Sequence, residues 1–192
     1  MMNRYICSVN MKEEIKQKFY DITVLIQQEF DRNLAIYGDK IQCRRGCSKC
    51  CSQIFRITKL DGEIIREHIK SLPAEQREAL HNKAREYMKL LPLYKGESAE
   101  REGVLNCPAL GPEGECTIYD ARPVICRRFG MPMYDYKNPK KLHACELNFK
   151  DGDEITDNLL IPSQTIIGKK WDELKDEFGD GSTTIAETIV NA

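Results

Sequence analysis

The sequence predicts a mainly α fold, with helices packed around cysteine-rich loops and a short irregular β segment. Three observations predict it. Apolar residues recur at three- and four-residue intervals in three stretches. Gly38, Pro73 and Pro92 punctuate the first two of them. Most cysteines are bunched between the helical stretches rather than on them. The chain of 192 residues is long enough to bury a core and is read as one domain, 1–192.

The first helix is expected over 12–36, where Ile15, Phe19, Ile22, Leu25 and Ile26 form a stripe that Phe30 continues. Residues 53–58 suit a short extended segment. A helical insertion is expected over 61–91. Asp61 caps its start, and Ile64, Ile65, His68 and Ile69 follow. Ser71-Leu72-Pro73 breaks the insertion in two. Pro73 opens the second half, whose face carries Leu80, Ala84, Tyr87, Met88 and Leu91. Residues 92–106 read as a polar connector. Gly111-Pro112-Glu113-Gly114 signals a turn, with Cys116-Thr117-Ile118-Tyr119 as a short strand after it. Asp120 is placed to cap a short helix carrying Cys126. Residues 131–142 read as a loop. The last helix is expected over 163–178, with Ile166, Ile167, Trp171 and Leu174 inward, and the tail beyond Gly179 is expected to fray.

Composition narrows the function classes. With 29 basic against 30 acidic residues the net charge is -1, so no global field favours nucleic acid or an anionic membrane. Apolar runs are too short to span a bilayer, and the first residues lack the apolar region of a signal peptide. The expected location is the cytoplasm. Nine cysteines in a reducing compartment read as ligands or redox thiols rather than disulfides.

Cys43-x3-Cys47-x2-Cys50-Cys51 is the sharpest feature. On a helix or helical turn, spacings of three and four bring thiolates to one face, where they hold one metal if a further ligand arrives from elsewhere. Neighbouring Cys50 and Cys51 would diverge by about 100° on a helix and so would not share an ion. Cys107, Cys116, Cys126 and Cys145 form the second group, and the turn between Cys107 and Cys116 is expected to fold those two together as a knuckle. Eight cysteines permit two four-thiolate sites, of zinc or of an iron–sulfur cluster. His143 offers a mixed-ligand option beside Cys145. Arg44, Arg45, Lys49, Arg122, Arg127 and Arg128 flank the cysteines, and Arg122 is the best placed to offset thiolate charge. Cys7 stands alone and reads as a small buried hydrophobe.

The combined pattern Cys43-x3-Cys47-x2-Cys50-Cys51, Cys107-Pro108-x-Leu110 and Cys116-x-Ile118-Tyr119-x-x-Arg122-Pro123-x-x-Cys126-Arg127-x-Phe129 resembles the YkgJ-type cysteine-cluster family of zinc- or iron-chelating proteins. The resemblance covers roughly residues 43–130, interrupted by 61–91. The family is related to flagellin lysine N-methylase, which implies an S-adenosylmethionine-dependent methyl transfer as one reading. Cys43-x3-Cys47-x2-Cys50 also has the spacing of radical S-adenosylmethionine enzymes, although Lys49 stands where an aromatic residue is common and the flanks read as helices. The other readings are a metal- or cluster-binding protein without an assigned reaction, and a zinc-stabilised module presenting 61–91 to a protein partner.

Overall fold

A computed structural model describes residues 4–94, 105–139, 142–150, 153–179 and 181–192, with side chains from Glu13 onward. The side chain of Cys7 and most of the 92–106 connector lie outside the described residues. The chain is mainly helical and divides into two compact units, 1–42 with 127–180 and 43–126 with 181–192.

The first unit is built on two helices, α1 (Arg4–Tyr37) and α5 (Leu160–Phe178). Helix α1 starts eight residues before the expected 12, because nothing between Arg4 and Met11 breaks a helix. Helix α5 starts at Leu160 rather than 163. Pro162 then falls in the first turn, where a missing N–H costs no intrahelical bond. The two helices pack together, burying Phe19, Ile22 and Ile26 of α1 and Leu160, Ile167, Trp171 and Leu174 of α5. Phe19 meets Trp171 edge-on at 6.0 Å between ring centroids. Ile166, expected inward, is exposed. The buried row of α5 is 160, 164, 167, 171 and 174, which keeps the helical period, and Ile166 lies about 100° off it.

Further along α1 the buried row turns polar, with Glu29 and Asn33. Glu29 pairs with Arg32 at 2.7 Å and accepts a hydrogen bond from the Asn33 amide at 3.0 Å. Arg32 also pairs with Asp157. The residues 131–142, expected as a loop, contain a small antiparallel hairpin of β2 (Met133–Tyr134) and β3 (Leu142–His143). Its strands are two residues each, too short for an alternating pattern to reveal them.

The second unit carries α2 (Lys59–Ser71), α3 (Ala74–Leu90) and α6 (Ile185–Val190). The break at Ser71-Leu72-Pro73 falls where expected, with Pro73 at the cap of α3. Ile64, Ile65, Ile69, Leu80, Ala84 and Tyr87 are buried as expected, and α6 packs on both helices. The tail beyond Gly179 is therefore ordered rather than frayed. β4 (Ser182–Thr184) pairs antiparallel with β1 (Arg56–Thr58), and Ile189 is fully buried. The Thr184 hydroxyl accepts from Glu187 N while the Glu187 carboxylate accepts from Thr184 N, a capping box that starts α6.

Asp61 does not occupy the cap of α2. Thr58 does, and Asp61 is the third residue of the helix, completing another capping box. Among the described residues, no helix is long and apolar enough to cross a membrane.

Candidate metal centre

The first cysteine group is not on an α-helix. Cys47 N donates to Arg44 O at 3.0 Å, closing a tight turn, and Gly46 within it has φ +87°, a left-handed conformation that ends any helical course. Cys51 N then donates to Ser48 O at 2.8 Å, and a 3-10 turn over Lys49–Ser52 carries Cys50 and Cys51. Two successive turns replace the expected helical face. The adjacent thiols do not diverge either: Cys51 donates a hydrogen bond to Cys50.

The second group is tied to the first through the backbone. Cys107 N donates to Cys51 O at 2.7 Å. From Cys107 the chain turns, with Leu110 bridging Cys116, Gly111 N donating to Glu115 O at 2.7 Å and Thr117 N donating to Ala109 O at 2.8 Å. This is the expected knuckle, but Cys116–Tyr119 contributes a single bridge and then a 3-10 turn rather than a strand. Gly114, with φ +79°, lies against the first turn. A Cβ there would sit 2.9 Å from Gly46 O, so the two turns approach as closely as they do only because residue 114 carries no side chain.

Cys126 sits on α4 (Val124–Arg128). The carboxylate at the start of this helix is that of Asp61, not Asp120. Asp61 Oδ1 accepts from Val124 N at 3.0 Å, while Oδ2 accepts from Thr58 N at 3.1 Å and the Thr58 hydroxyl at 2.8 Å. Asp120 lies in the preceding 3-10 turn, Tyr119–Ala121. One buried carboxylate thus fixes α2 and the helix that bears a candidate ligand.

Cys50, Cys51, Cys107, Cys116 and Cys126 lie within one another's electrostatic reach. The hydrogen bond from Cys51 lowers the pKa of Cys50, with help from the Arg122 guanidinium and against the effect of burial. The same bond, then burial, raises Cys51. Burial first, then the fields of Cys116 and Cys50, pushes Cys107 up to about 12. Burial raises Cys126 well above the usual thiol range, reinforced by Cys107, Cys50 and Cys116. Arg122 stacks on Tyr119 with its guanidinium carbon 3.8 Å from the ring centroid.

Two of the other flanking cations go elsewhere. Arg45 faces Glu113 at 3.9 Å in an exposed pair, and Arg128 donates to Gln164 at 2.6 Å in the first unit. Cys43 and Cys47 lie on the turn leading into this group, and Cys145 is buried in the first unit, with His143 exposed nearby in sequence. All eight described cysteines are free thiols. Among the described residues, no three His, Cys, Asp or Glu side chains converge closely enough to enclose an ion as they stand.

The donor chemistry nonetheless suits a thiophilic metal. Five sulfurs share one neighbourhood, burial holds two of them above the usual thiol range, and a guanidinium is at hand for the negative charge that thiolates bring.

A cysteine-lined fold of this kind defines a metal-chelating domain, and comparison with protein families agrees. The chain belongs to the CxxCxxCC family, described as a "putative zinc- or iron-chelating domain", which matches residues 42–146. Comparison with curated proteins and with solved structures finds no match. The matched segment includes all eight cysteines from Cys43 to Cys145. Sequence reasoning missed the linking role of Asp61, whose only local signal is its position three residues after Thr58 in a capping box. It also missed the contact of Gly46 with Gly114, which no local pattern encodes.

Proposed function

We propose that the protein binds zinc or iron through cysteine thiolates, with the ligands drawn from Cys50, Cys51, Cys107, Cys116 and Cys126 and with Cys43 and Cys47 completing the set from the adjoining turn. The observation that supports this most is the shared electrostatic neighbourhood of the five thiols on turns joined by the Cys107 N to Cys51 O bond. When bound, the metal would supply a strong cross-link between the two cysteine groups, or redox and Lewis-acid chemistry if it is iron. The chain's own residues then hold the thiolates in place, shield Cys107 and Cys126 in part, and offset charge through Arg122. The reducing interior of a cell suits this role, because thiols held as disulfides would not ligate.

The test is metal and acid-labile sulfide analysis with a visible spectrum, on protein purified without oxygen. Stoichiometric zinc in a colourless protein establishes a zinc centre. Iron with sulfide and a brown colour establishes a cluster. Neither metal, in folded protein with every thiol free, overturns the proposal.

A second reading is an enzyme that uses S-adenosylmethionine for protein lysine methylation, and the Cys43-x3-Cys47-x2-Cys50 spacing favours it. It requires iron, and then specific binding of S-adenosylmethionine by the iron-loaded protein; zinc, or iron without such binding, removes it.

A further inference from the structure

The first unit contains a cleft of about 380 Å³ that no part of the cysteine chemistry uses. Its walls are aromatic: Tyr134 and Tyr136 from the hairpin region and Trp171 from α5. Gly168 of α5 lets the Tyr136 ring lie close to the helix, since a Cβ at 168 would meet that ring at 2.9 Å. The cavity is at the small end of ligand pockets, which run from about 300 to 1,000 Å³, so it suits one or two rings.

The charges in its wall are unequal. Asp172 holds Lys137 and Lys175, each at 2.6 Å, and also accepts from the Tyr136 hydroxyl. Those two lysines are already partnered. Arg128 is not. It is partly buried, its one hydrogen bond goes to the neutral amide oxygen of Gln164, and its buried Nε donates to nothing. Among the described residues no carboxylate lies within ion-pair distance of it. A partly buried guanidinium bonded only to a neutral amide is costly, and the carboxylates within its electrostatic reach, Asp135, Asp172 and Glu29, do not pair with it. Three cations against Asp135 and Asp172 leave the lining one positive charge in excess.

We infer that this cleft binds a small monocarboxylate with a flat apolar body, its carboxylate compensating Arg128 and its ring lying against Trp171. A monoanion matches the single excess charge. A planar guanidinium and aromatic walls match a carboxylate on a ring, because the first offers paired N–H donors and the second a flat apolar surface.

Trp171 is the sole tryptophan of the chain, so its emission reports the cleft directly. In the full-length protein, titration with phenylacetate should give a saturable change in that emission. Phenylacetamide, of the same shape without the charge, should bind about tenfold more weakly or worse. R128Q, folded by circular dichroism, should lose about tenfold in affinity or more. Because Arg128 also holds Gln164, K137E provides an independent probe: it reverses an exposed charge at the rim and should weaken binding in a manner that salt suppresses. Equal binding of acid and amide, unchanged affinity in folded R128Q or in K137E, or no saturable response to phenylacetate would each overturn the inference. Metal content should be unaffected by R128Q, so failure here is separable from failure of the metal proposal.

Discussion

The two units are stabilised in opposite ways. The first rests on a long helix pair whose contact carries an apolar half, around Phe19, Ile26 and Trp171, and a polar half, around Glu29, Asn33 and Gln164. The second has an apolar helical core, around Ile65, Ile69, Ala84 and Ile189, and beside it a set of tight turns held by backbone hydrogen bonds, two glycines and Asp61. Side chains fix the polar half of the first unit. Backbone geometry fixes the cysteines of the second. A metal is therefore expected to matter to the second unit and not to the first.

Four changes sharpen or break that contrast. The largest stability loss is expected for E29A. Removing Glu29 leaves Arg32 with Asp157 alone and takes a side-chain acceptor from Asn33 and Gln164, and each charge-assisted bond lost costs about 1.5–3 kcal/mol. Urea denaturation followed by Trp171 emission measures it, and metal content should not change. D61A comes next. It takes the carboxylate acceptor from Thr58 N in the capping box and from the buried Val124 N–H, each loss costing about 1–3 kcal/mol. Here metal affinity should fall along with stability, because the helix bearing Cys126 loses its anchor; an unchanged metal affinity would break the link between the two.

G114A is expected to cost about 1–3 kcal/mol, from a positive φ and from the clash with Gly46 O. Its effect on metal affinity should exceed its effect on the Trp171 unfolding signal. The smallest effect, just above pH 9, is expected on raising pH in metal-free protein, and it grows as pH approaches 12. Cys107 ionises near 9.0 when unfolded and at about 12 when folded, so the folded state holds the extra proton between those values. Stability should be unchanged below pH 9 and should fall as pH rises from 9 towards 12. Metal loading should reverse the trend at lower pH, because protons compete with the metal for the thiolates and affinity then rises with pH.

Much of the helical frame was legible in the sequence. The stripes at Phe19, Ile22 and Ile26 and at Ile64, Ile65 and Ile69 follow a single period, and Pro73 marks the break between helices. Burial of Glu29 and Asn33 was not legible, because their acceptability depends on Arg32 and Gln164 reaching them in three dimensions. The tail was misjudged because its signal, Thr184 three residues before Glu187, is brief and its partner strand β1 lies more than a hundred residues away. At the site, residue identity was legible and geometry was not. The spacing from Cys43 to Cys51 suits a helix on paper, yet Gly46 adopts a conformation that forbids one. The meeting of Cys51 with Cys107 is a long-range backbone contact that spacing alone does not specify.

The most direct measurement is the metal content of the wild-type protein and of C107A and C126A, each purified without oxygen and checked for folding. The account predicts stoichiometric zinc or iron in the wild type and loss of most of it in both variants, with the helical signal of the first unit retained. Full metal content in both folded variants would contradict the shared thiolate centre.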